Sequence, residues 1–380
     1  MQFFTNSTIN RSYIHAGLQT FAENAGGVFV FVYLLKSGLT VPIVFTALSA
    51  IFMLRIFIRR IVVPVVKLVG LRNGLILGTL MVAASYLLVA QVQGVGPVLF
   101  FFVVFDALST SFYWTCYHAY VSKLGDSEHR GAQVSVREAI NAIMGIVAPL
   151  LGSFLLVYAG KGSAFYAAAA IEALAILPLL GAPNHRIADH AVIDPATQNY
   201  ASKLFCTDGV ITAFFFFTWI IALFQTLGEN FGSYGGTLAL AGLIGAVMSL
   251  VMGRLIDLGH HKSSVQIAYG AIALSIAIKA LAFATPWTAI VATAVGAVAA
   301  PLYMPVLMSR VYNMAKASAC PVRFQVAAEG AWDLGNGLGC LAAAIITWAG
   351  FGYFWPLLLG LVGAAAGYAM MNKPVDQLQR

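Results

Sequence analysis

Apolar runs long enough to cross a bilayer recur along almost the whole chain, and their rhythm constrains the fold more than any other feature. They fall at about 12–35, 41–66, 73–93, 96–121, 132–158 and 163–182, then at about 206–228, 233–254, 263–285, 287–312, 324–349 and 351–371. A bilayer core about 30 Å thick takes roughly 20 apolar residues per helical crossing. Hydrocarbon offers no partners to peptide groups, so each run has to satisfy its backbone internally, as a helix does. Six runs, a break and six more predict an all-α polytopic membrane protein of twelve transmembrane helices in two six-helix bundles. Composition agrees: 60% of residues are hydrophobic, 9% are charged, and the mean hydropathy is +0.86. So few charges could not cover the surface of a water-soluble protein of 380 residues.

The break contains the only long polar segment, with Asn184, His185, Arg186, Asp189, His190 and Asp194. It predicts an N-terminal bundle over 1–182, a central loop over 183–205 and a C-terminal bundle over 206–380. Basic residues set the orientation. Of the 21 Lys and Arg, sixteen sit on one side if the N-terminus is inside, against Lys36 and Lys161 on the other. Both termini and the central loop are therefore expected in the cytoplasm. The net charge of +7 is spread over helix ends in this way, which argues against a nucleic-acid partner. The four cysteines show no metal-ligand spacing and are read as packing residues.

A short connection after the eighth run reads Gly253-Arg254-Leu255-Ile256-Asp257-Leu258-Gly259-His260-His261-Lys262. An Asp beside basic residues at the membrane boundary suits a charge clamp between helices, and the glycines suit a tight turn. Gly253, Asp257, Gly259 and Lys262 resemble the loop motif of the major facilitator superfamily, with Leu258 where that motif has Arg. In the fifth run, Gly145-Ile146-Val147-Ala148-Pro149-Leu150-Leu151-Gly152 resembles that family's antiporter motif, with Ala148 in place of a glycine. The halves also echo each other. Arg130-Gly131-Ala132-Gln133-Val134 leads to Arg137-Glu138, and Arg323-Phe324-Gln325-Val326 leads to Glu329 and Asp333. The resemblance implies two bundles rocking about a central cavity, lined by helices 1, 4, 7 and 10 and flanked by 2, 5, 8 and 11. Helices 3, 6, 9 and 12 would face lipid.

A charge at bilayer depth costs at least about 2.5 kcal/mol, so each needs a reason. His15, Gln19 and Glu23 form one stripe on the first helix. Glu23 reads either as a proton- or cation-binding carboxylate or as the ion-pair partner of Arg55 on the second helix. Arg55 could instead hold an anionic substrate, while Arg59 and Arg60 are expected to reach toward the headgroups. Asp106 shares a helix face with Tyr113 and Tyr117, beside the pair Trp114 and His118. That cluster suits an amphipathic substrate; for Tyr117 and His118 an interfacial aromatic belt is the plainer reading. Glu329 and Asp333 lie one turn apart on one face. Two carboxylates that close favour sharing a proton, or they gate the bundles by pairing with Arg130, Arg137 or Arg323. Glu138 joins this set. Lys279 is expected to snorkel, and Glu172, deep in the sixth run, has no evident role.

There is no phosphate-binding loop, no metal spacing and no hydrolase nucleophile motif. The expectation is an integral multi-pass transporter, not an enzyme, with no cofactor, working as a monomer. Its partners would be the lipid bilayer, a small-molecule substrate and protons, and its place the inner membrane if the source is bacterial. Secondary transport by alternating access, with proton-coupled export of an amphipathic compound, follows from the acidic residues and aromatic fourth helix. The alternatives are uptake of an organic anion held by Arg55, or a transporter-like receptor or lipid-handling protein.

Overall fold

In the computed structural model the chain is described over residues 7–124, 130–186, 195–256, 261–317 and 321–372; side chains at 7, 122–124, 130–138, 250–256, 261–262, 312–313, 315–317 and 321–322 are excluded. All regular structure among the described residues is helical. The long helices, in chain order, are α1 (Thr8–Lys36), α2 (Val41–Val69), α3 (Leu71–Val89), α4 (Pro97–Leu124), α5 (Arg130–Phe154) and α6 (Ser163–Leu180). They continue as α7 (Pro195–Thr226), α8 (Phe231–Ile256), α9 (His261–Leu281), α10 (Pro286–Ala317), α11 (Pro321–Trp348) and α12 (Phe354–Met371).

Among the described residues, eleven helices are long and apolar enough to span a membrane. The exception is α11, whose 28 residues include the buried Glu329, Asp333 and Asn336. Its polarity is turned inward, so average hydropathy misses it. Large apolar side chains elsewhere are left outward, among them Phe57, Phe100, Leu281, Trp287 and Trp348. Trp287, Trp348 and Trp355 stand at helix ends, as an aromatic belt requires.

By contact the chain forms two compact units: Met1–Leu39 with Phe57–Asp189, and Thr40–Ile56 with His190–Arg380. Helix α2 is divided, so Arg55 belongs to the second unit. In the first unit α3 packs along α4, and α1 packs on α5 and α6. That last contact needs bare backbone. A Cβ at Gly26 would come 2.7 Å from Ala168 Cβ, and one at Gly152 would come 2.0 Å from the Ala25 carbonyl oxygen. In the second unit α7 packs against α11 and α12, and α9 against α10 and α12. Two arginines close helix C-termini. Arg72 donates to the Ala182 carbonyl at 2.8 Å, and Arg310 to that of Met371 at 2.7 Å.

Candidate functional site

The second unit holds a connected set of buried polar side chains. It exists because α7 and α11 run in near backbone contact. A Cβ at Gly209 would meet the Trp332 carbonyl oxygen at 2.3 Å, and one at Gly335 would meet that of Cys206 at 2.2 Å. This approach brings the Trp332 indole to Asp208, whose Oδ2 accepts its Nε1–H at 2.9 Å. The other oxygen, Oδ1, accepts from Tyr303 at 2.7 Å. Tyr303 lies between Pro301 and Pro305 of α10 and meets Tyr269 of α9 edge-on, with centroids 5.2 Å apart. Asp208 is 5% exposed and Tyr303 3%. Both carboxylate oxygens are thus engaged by neutral donors.

Next along α11 from Trp332 is Asp333, fully buried and ion-paired with Arg55 of α2, Nε to Oδ1 3.1 Å. The guanidinium lies 5.4 Å from the Phe52 ring centroid and 5.7 Å from that of Trp332. Ser49, on the same stretch of α2, donates to the Gly337 carbonyl at 2.8 Å. An Arg held over aromatic rings and bonded to a carboxylate is shielded from water. The Arg55–Asp333 pair therefore joins the first half of α2 to α11. Glu329, one turn before Asp333, is also buried.

The first unit gathers the aromatic residues. Tyr113 and Tyr117 stack at 5.6 Å with planes 10° apart, and Trp114 stands edge-on to Tyr113 at 5.2 Å. Trp114 stacks on His118 at 5.5 Å. The Tyr113 hydroxyl is 3.4 Å from His15 Nε2, and His15 Nδ1 lies 2.8 Å from the Ala175 carbonyl. Tyr113 and Tyr117 are buried, whereas Asp106 is half-buried about two to three turns earlier on α4. Glu23 accepts from Gln19 Nε2 at 3.0 Å, within the stripe expected on α1.

Several sequence expectations change. Arg55 is the ion-pair partner of Asp333, against the one of the two readings of Glu23 that paired it with Arg55, because the first half of α2 packs in the unit that contains α11. Asp333 thus has a cation from α2; the side chains of Arg130 and Arg137, expected as gate partners, lie outside the described residues. Tyr117 is 3% exposed, so it packs inside the first unit and does not face outward. Arg59 does not reach out; it is 2% exposed and donates to Thr115 at 3.1 Å, while Arg60 is exposed. Lys279 is likewise buried, at 4%. Its Nζ donates to the Phe215 carbonyl at 3.0 Å and lies 3.5 Å from that ring's centroid, beside the π-helical turn Ala213–Thr218. Widening the helix to a π turn withdraws a carbonyl from the regular ladder and offers it to Lys279. Asp208 escaped the sequence reading. The signal was present, an acidic residue near the start of the run at 206–228, and the cost of intramembrane charge flags it as it flagged Glu23. Of the loop motif, Asp257 and Gly259 lie outside the described residues, Gly253 lies in α8, and the side chain of Lys262 is not described. The side chains of Arg130, Arg137 and Glu138, in α5, also fall outside.

With this geometry in hand, the chain can be set beside known proteins. Residues 13–319 match the family model of the Major Facilitator Superfamily. No curated protein matches the sequence. Among solved structures, the human organic anion transporter MFSD10 (TETRAN) superposes with a TM-score of 0.72 at 14% identity, covering 96% of this chain and 99% of that one. The nucleoside transporter NupG gives 0.68 at 13% identity, covering 97% and 100%. A POT family transporter in complex with a thioalcohol-conjugated peptide gives 0.67 at 12% identity, with 98% of each chain covered. At such identities the likeness is one of fold. Polytopic helices, charge buried inside them and a family match over most of the sequence lead to one assignment: the chain is a multi-pass membrane protein of the Major Facilitator Superfamily.

Proposed function

We propose that this protein is a proton-coupled secondary transporter that exports a small amphipathic compound by alternating access. The observation that carries the reading is the buried ion pair between Arg55 and Asp333. Breaking a buried pair by neutralising one partner leaves an uncompensated charge, a cost of about 3–5 kcal/mol. Loading Asp333 with a proton therefore biases the protein toward a conformation in which Arg55 finds other partners. The aromatic run Tyr113, Trp114 and Tyr117, with Asp106 on the same helix, supplies walls and an anchor for an amphipathic substrate. Twelve spans in two six-helix halves, with both termini in the cytoplasm, belong to the same proposal. At 1.5 Å per residue, the 28 residues of α11 reach about 42 Å, ample for the twelfth crossing.

Uptake of an organic anion by Arg55 is the second reading, and the fold shared with a human organic anion transporter favours it. It demands that Arg55 give up Asp333 for the substrate. A thermal-shift screen of the purified protein decides between them, since a ligand bound only by the folded state raises the melting temperature. The screen uses organic cations, neutral amphiphiles and organic anions at mildly acidic and mildly alkaline pH. Stabilisation by cations or neutral amphiphiles, stronger at alkaline pH, is expected. Stabilisation by anions that is lost in Arg55→Ala overturns the export reading. In proteoliposomes loaded with a hit, Asp333→Asn should retain exchange while losing accumulation driven by a pH gradient.

A further inference from the structure

Among the described residues of the first unit, Glu172 is the most deeply isolated acidic group. It stands in the alanine-rich stretch Ala167-Ala168-Ala169-Ala170-Ile171-Glu172-Ala173 of α6 and is 0% exposed. Neither of its carboxylate oxygens has a hydrogen-bond partner among the described residues. A carboxylate so placed, with no donor, is not a stable charged group at membrane depth.

Its neighbours define a site. Helix α6 runs antiparallel to α1, since Gly26 abuts Ala168 while His15 bonds the Ala175 carbonyl. Between those two contacts Glu172 comes opposite the Gln19–Glu23 turn, and it lies within electrostatic reach of Glu23. On α3, which also packs on α6, Tyr86 lies within electrostatic reach of Glu172, Glu23 and Asp106. Tyr86 and Glu23 converge at Gly27, where an added Cβ would stand 2.9 Å from the Tyr86 hydroxyl and 3.4 Å from Glu23 Cγ. Helix α1 also turns His15 toward α6, held by the Ala175 carbonyl, with Tyr33 edge-on to Phe165 near one end of α6 and Arg11 against Gly181 beyond the other. The described part of α5, 139–154, contains no titratable side chain, and Tyr158 beyond it is 76% exposed. The cations Arg11 of α1 and Arg72 of α3 stand at the far end of α6, at Gly181 and the Ala182 carbonyl, and neither gives Glu172 a hydrogen bond.

We propose that Glu172 is a resident proton-binding site, with Glu23 as the group through which its proton enters and leaves. Glu172 is sealed in and Glu23 is only half-buried, so exchange with water runs through α1. In each transfer one proton passes between the two carboxyls, the donor becoming a carboxylate and the acceptor an acid. The site is separate from Asp333 and rests on the proton-coupled reading only for its consequence in transport.

Infrared spectroscopy of the protein in detergent, titrated in light and heavy water, tests this. The wild type at neutral pH should show the C=O stretch of a protonated carboxyl. Glu172→Gln should delete that band, Glu172→Asp should shift it, and Asp333→Asn should leave it in place. Glu23→Gln should preserve the band and slow its exchange into heavy water several-fold. Absence of the band from the wild type overturns the proposal whether or not the variants fold, as does a band that survives Glu172→Gln. A band sensitive to Glu172→Gln in a protein that moves no protons during transport supports the site and overturns proton coupling instead.

Discussion

Arg55 and Asp333 show how much one contact decides at the scale of a residue. Asp333→Asn or Arg55→Gln alone should destabilise the detergent-solubilised protein by about 3–5 kcal/mol, because each strands a buried charge. Replacing both by leucine should recover most of that loss in unfolding measurements, whereas additive losses would show that the two do not act as a pair. Asp208 differs in kind, since its partners are neutral. Tyr303→Phe removes one hydrogen bond to Asp208, worth about 0.5–3 kcal/mol between its neutral and charged forms, and leaves the Trp332 bond intact. A melting temperature unchanged by Tyr303→Phe would show that the Tyr303 bond to Asp208 adds nothing to stability. Sequence reading found Asp333, Glu329, Glu23 and Arg55 by the cost of intramembrane charge. It could not pair them, because partners distant in sequence leave no trace in local spacing.

At the scale of the element, glycines separate close helix contacts from open ones. Gly335→Ala on α11 would drive a methyl to 2.2 Å from the Cys206 carbonyl oxygen, so overpacking of about 1–3 kcal/mol or more is expected. Gly145→Ala, on α5 with nothing within 4 Å, should instead stabilise by about 0.5–1 kcal/mol through helix propensity. Parallel unfolding measurements check the contrast, and equal effects at the two sites would mean that α7 and α11 are not in backbone contact. The packing face of α11 is legible in its own sequence, from the small-residue spacing of Gly335 and Gly339. The π turn in α7 was not legible. Its sequence, a run of four phenylalanines, is as apolar as any regular turn, and only the buried Nζ of Lys279 shows why the ladder opens there.

For the whole molecule, the proposed orientation places the α1–α2 and α3–α4 connections outside and that between α2 and α3 inside. Ser37→Cys and Gln93→Cys should label with a membrane-impermeant maleimide added to intact cells, and Asn73→Cys should not; the reverse pattern inverts the topology. Continuous apolar runs determine by themselves that the chain is helical and lies in a membrane, because hydrocarbon leaves the backbone no other way to bond. They also placed the helices, α11 included, since its run is long even where its average polarity is high. Tertiary structure alone decided that the first half of α2 packs with the second unit, that Arg55 answers Asp333, and that Glu172 is sealed with no donor. The physical reason is one of range. Transfer into lipid acts on each segment separately and can be summed along a sequence, whereas ion pairs and backbone contacts depend on which helix faces come together. That choice is set by glycines and side-chain shape on segments far apart in the chain.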